Sequence, residues 1–149
     1  MKKLHKIGLI SALGLGVIGY AFADSPSDEY SRLNKWINSN AANYMNLDAL
    51  VQKAKSEGEL QGLIKTKVAQ LQQETDALDI QTPEIKAIKD NVVERMKAFT
   101  NASIEAFRVK QNPTEANMKA MSAKLQSADS LLATEQKLKR EAKKKYDLK

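Results

Sequence analysis

After Pro26 the apolar residues Tyr30, Leu33, Ile37, Ala41, Tyr44, Leu47, Val51 and Ala54 return every three or four positions. At 3.6 residues per turn this spacing lines them along one side of a helix. Leu60, Ile64, Val68, Leu71, Thr75 and Leu78 repeat the pattern beyond Gly58. Ile85, Ile88, Val92, Met96, Phe99, Ile104 and Phe107 form a third, wider stripe. Met118, Met121, Leu125, Ala128, Leu131 or Leu132, Leu138 and Ala142 form the fourth. No stretch alternates with the two-residue period of a strand, and each stripe must bury itself against another.

The punctuation agrees. Ser25-Pro26, Thr82-Pro83 and Asn112-Pro113 each place proline after a residue able to cap a helix. At the first helical position proline loses nothing, because that N–H has no intrahelical partner. Ser25 with Asp28, Ser56 with Glu59 and Asn112 with Glu115 have the spacing of a capping box or a close variant. The stripes and caps predict helices over about 26–55, 57–79, 83–111 and 113–146, joined by connections short enough to make neighbours antiparallel. The expected fold is all-α, an elongated up-and-down helical bundle of three to four helices with coiled-coil-like seams. Two interruptions modulate this. Asn38-Ser39-Asn40-Ala41-Ala42-Asn43 is poor in helix formers, with Asn43 or Asn46 able to cap a new start, and Ser56-Glu57-Gly58 is a turn or a kink.

Residues 1–23 stand apart from this pattern. Lys2, Lys3 and Lys6 precede the apolar run Ile7 to Phe22, and Ala21-Phe22-Ala23 ends it with small residues, the three-part layout of a secretory signal peptide cleaved after Ala23. The run is shorter than the ~20 residues that span a bilayer. The expected location is therefore periplasmic or extracellular. The whole sequence has 24 Lys and Arg against 18 Asp and Glu, a formal charge of +6. Removing three signal lysines halves that charge. The body, 24–136, is nearly neutral, while 137–149 carries Lys137, Lys139, Arg140, Lys143, Lys144, Lys145 and Lys149 against Glu141 and Asp147.

Composition closes several kinds of chemistry. The chain has no cysteine, and its one histidine, His5, lies in the signal segment. The mature chain thus has no residue for a Cys–His nucleophile, a Ser-His-Asp triad, a zinc hydrolase site or a Cys-linked lipid. In outline, an exported helical chain with Thr82-Pro83-Glu84 opening its third helix resembles the periplasmic b-type four-helix cytochromes. Their iron is held by a Met and a His near the chain end, and Glu141 to Tyr146 offers no His, so no haem or other cofactor is expected.

What remains is binding. Met96, Met118 and Met121 fall on the apolar stripes and read as core fillers, or alternatively as thioether ligands of a Cu(I) carrier. Trp36, at the edge of the first stripe, is a candidate anchor for a partner. The basic end complements the dipole of the last helix, or else attracts an anionic lipid or lipopolysaccharide surface. The leading expectation is a non-catalytic exported protein that binds another envelope protein, as a chaperone-like factor or adaptor. A membrane-surface binder using its basic end is the alternative. Nucleic acid is not an expected partner, and exposed stripes would also allow a homodimer.

Overall fold

The computed structural model describes residues 24–149, so the signal segment and its cleavage point lie outside the described residues. The described chain is all-helical: α1 (Pro26–Met45), α2 (Leu47–Lys53), α3 (Glu57–Asp76), α4 (Pro83–Gln111) and α5 (Glu115–Tyr146). Five helices replace the three to four expected, because both candidate interruptions are real breaks.

The first break falls at Asn46, whose extended backbone ends α1 while its side-chain oxygen accepts from Ala49 N at 3.3 Å to start α2. A short amide side chain that satisfies the backbone outside a helix competes with continuing it. The second falls at Ser56, whose hydroxyl accepts from Glu59 N at 3.2 Å while Glu59 reaches back to Lys55 N at 2.8 Å. Ser25 and Asp28 form the expected capping box on α1. The start of α5 differs from the sequence reading. Thr114, not Asn112, is its cap, accepting from Asn117 N at 3.2 Å, and Pro113 stays in the connection.

Pro83 opens α4 as expected, but the Thr82 side chain makes no capping hydrogen bond. Glu29 on α1 does that work. Its buried carboxylate accepts from Gln81 N at 3.0 Å and Thr82 N at 2.8 Å. Arg32 fixes the preceding connection, donating to Leu78 O at 2.8 Å and Asp79 O at 3.2 Å, where Asp79 turns the chain through a left-handed φ of 49°.

Residue pairs give the helix directions. Glu29 at Thr82 and Tyr44 O at Thr100 show α1 running parallel to α4. Glu57 at Arg108 and Asp76 at Lys89 show α3 running against it. Glu84 at Tyr146 and Arg95 at Glu135 show α5 antiparallel to α4 on another side. α4 touches every other helix, so its apolar faces carry most of the core. The larger cluster joins Leu33, Ile37 and Tyr44 of α1, Leu71 of α3, and Ile85, Ile88, Val92 and Met96 of α4. A smaller one joins Val51, Leu60, Ile64 and Phe107. The stripes of α1, α3 and α4 are thus buried much as their spacing dictates. The α5 stripe is not: Ala128 and Ala142 are buried, but Met118 is 46% and Leu132 is 38% exposed.

Candidate functional site

The seam between α4 and α5 explains that exposure. Ala128, Glu135 and Ala142 recur at seven-residue spacing and are the buried positions of α5, the repeat of one helix laid along another. Small alanines let the backbones approach closely, with Ala102 of α4 also fully buried. Between the alanines sits a charged layer. The Arg95 guanidinium lies 2.8 Å from Glu135, and Lys139 approaches the same carboxylate at 2.8 Å. Arg95 also donates to Met45 Sδ at 3.8 Å, tying the end of α1 to this layer. The Nε of Arg95 and the Oδ1 of Asn91, a half-buried residue, are buried and have no hydrogen-bond partner.

From Glu115 to Ser127, α5 has no buried residue, and no part of it enters the smaller apolar cluster that closes this end of α4. Met121, Leu125 and Leu131 are half-buried, and Met118 and Leu132 extend their line into solvent. The amino-terminal half of α5 therefore presents a narrow apolar ridge on a polar helix.

The three methionines proposed as thioether ligands are not brought together. Met96 is fully buried in the larger core, one residue from the level of Glu135. Met118 and Met121 lie toward the opposite end of α5, Met121 about 20 Å along the axis from that level. Among the described residues no group of three His, Cys, Asp or Glu side chains is placed to hold a metal ion.

Trp36 is half-buried against the larger core, its ring 6.2 Å from that of Tyr44. The Lys67 ammonium covers the Tyr44 ring at 4.7 Å. Burial, reinforced by the neighbouring Glu74 carboxylate, pushes the Tyr44 hydroxyl's pKa up.

Several basic residues of the last helix are turned to internal use. Lys145 and the Tyr146 hydroxyl both bond the Glu84 carboxylate in the first turn of α4. These hydrogen bonds, Lys145's first, hold the Glu84 carboxyl down to about 2. Lys143 lies 5.9 Å from the Tyr30 ring centre, and Lys139 belongs to the charged layer. Lys137 reaches Glu141 at 3.9 Å. Arg140, Lys144 and Lys149 are exposed and carry no ion pair among the described residues. Sequence reasoning saw these basic residues but missed Glu29, Arg95 and Glu135. The seven-residue spacing of Ala128, Glu135 and Ala142 was the available signal.

Among the described residues the architecture is all-α with five helices, and its most distinctive open surface is one face of the last helix. No helix among the described residues is long and apolar enough to cross a membrane. Residues 27–147 match the family described as Uncharacterised lipoprotein PM1805, and the chain belongs to that family. No curated protein and no solved structure matches the chain. The family description is of a lipoprotein, whereas this sequence contains no cysteine to accept a thioether-linked lipid.

Proposed function

We propose that this is a non-catalytic protein of the bacterial envelope, released into the periplasm or beyond by cleavage after Ala23, that works as an up-and-down helical bundle binding another protein through α5. Membership of a lipoprotein family supports the envelope location. The observation that carries the binding surface is the ridge of Met118, Met121, Leu125 and Leu132, left open because the first half of α5 has no helix but α4 beneath it. Apolar groups rimmed by polar ones mark interaction sites. An amphipathic segment laid along this ridge would cover Met118 and Leu132 together.

Photo-crosslinking residues placed singly at Met118, Leu132, Lys86 and Arg140 in cells test this reading. Discrete protein adducts at 118 and 132, and none at 86, are expected. No adduct at either ridge position, or equal adducts at 86, overturns it. The exposed cations Arg140, Lys144 and Lys149 at the end of the chain, which make no ion pair among the described residues, favour a second reading, a peripheral tether to an anionic surface. Lipid adducts at 140 with none on the ridge would select it.

A further inference from the structure

The break at Asn46 has a second effect: it turns α2 back along α3 and leaves a half-open pocket of ≈ 220 Å³ where α1, α2 and α3 meet. Its apolar lining comes from Ala49, Leu50 and Leu63, and its polar lining includes Asn43, Lys53 and Lys67. No carboxylate lines it. Neither the exposed Lys53 nor the half-buried Lys67 has an ion-pair partner among the described residues, whereas the other half-buried or buried cations, Arg32, Lys89, Arg95, Lys97 and Lys139, are paired. Lys67 is instead held over the Tyr44 ring, which fixes its ammonium beside the cavity without neutralising it.

An apolar lining with two uncompensated ammonium groups and no acid complements one kind of small molecule, an aliphatic chain ending in an anion. The volume exceeds the roughly 150 Å³ of an apolar cavity that admits benzene. It falls short of the ~300 Å³ at which drug-sized pockets begin. A short chain therefore suits its size. We propose that this cavity binds a medium-chain aliphatic carboxylate, its chain against Leu50 and Leu63 and its head group between Lys53 and Lys67. This site lies apart from the α5 ridge, so its fate is independent of the protein-binding reading.

The test is titration of the full chain with octanoate, 1-octanol and acetate, read by calorimetry and by the fluorescence of Trp36, which is in ring contact with Tyr44 beneath Lys67. Octanoate should saturate below about 1 mM, with octanol and acetate at least about tenfold weaker. The Lys53→Gln/Lys67→Gln double variant should lose about tenfold in octanoate affinity, with unchanged far-UV circular dichroism. Lys144→Gln, remote from the cavity, should bind as the parent does. Equal binding of octanoate and octanol removes the role of the lysines, and equal binding of acetate removes that of the apolar lining. Either result, no saturation with octanoate, or full affinity in the double variant overturns the proposal.

Discussion

Arg95 of α4 and Glu135 of α5 form an ion pair at 2.8 Å with 9% and 2% of their side chains exposed, in a layer that Lys139 completes at 2.8 Å from the same carboxylate, between the buried alanines of the seam. Removing one partner leaves the other charged and buried. Glu135→Ala should therefore cost about 3 kcal/mol, at the lower end for broken buried pairs. Replacing all three charged members, Arg95→Met and Glu135→Leu with Lys139→Met, should be close to neutral, since the desolvation of the group offsets most of its attraction. Urea unfolding of the two variants decides it, and a triple variant as unstable as the single one contradicts this account.

Glu29 caps a helix from another helix. Its carboxylate takes two backbone N–H groups at the start of α4, 52 and 53 residues away. Glu29→Ala leaves those donors unsatisfied beside the core and should destabilise the fold by about 1–3 kcal/mol. Thr82→Ala should cost only a few tenths, because the Thr82 hydroxyl makes no capping bond. A larger loss for Thr82→Ala than for Glu29→Ala in thermal unfolding would reverse the assignment.

The Glu84 clasp makes stability depend on acid. Its carboxyl titrates at about 2 in the folded chain against an ordinary value of 4.5, held down by Lys145 and Tyr146. A group whose folded pKa is depressed contributes fully above its unfolded pKa and loses that contribution as pH falls through the folded one. The melting temperature should fall between about pH 4.5 and 2, and less steeply in Glu84→Gln. Parallel curves for the two proteins in that window would show that the clasp does not contribute. Because the clasp is exposed, added salt should shrink the difference.

Gly62 sits inside α3 with nothing within 4 Å of where a Cβ would stand. Gly62→Ala should stabilise the chain by about 0.5–1 kcal/mol, by restricting the unfolded state and improving helix propensity. A denaturation midpoint that stays put or falls would mean that α3 needs this glycine for something other than packing.

The stripes through Leu33, Ile64 and Ile88 were readable because apolar periodicity reports which face is buried. The caps at Ser25 and Ser56 were readable because they act within three residues. Glu29, Arg95 and Glu135 were not, since periodicity assigns charged residues to solvent and their partners are 40 to 53 residues distant. Met118 failed for the opposite reason. It has the spacing of a core residue, but no helix lies opposite, and spacing cannot say whether a partner exists. The cavity under Asn46 depended on a break that the asparagines only suggested.

α4's first turn is met by α1's opening at Glu29 and by α5's close at Tyr146. Ser27 and Lys149 line the same hollow. The beginning and the end of the described chain thus share one pole of the molecule. The turn at Pro113 lies at the other end of a helix of 32 residues, about 48 Å away. Residue 24 and the exposed cations Arg140, Lys144 and Lys149 therefore lie toward one pole, while the methionine-bearing hairpin tip extends toward the other like an outstretched finger.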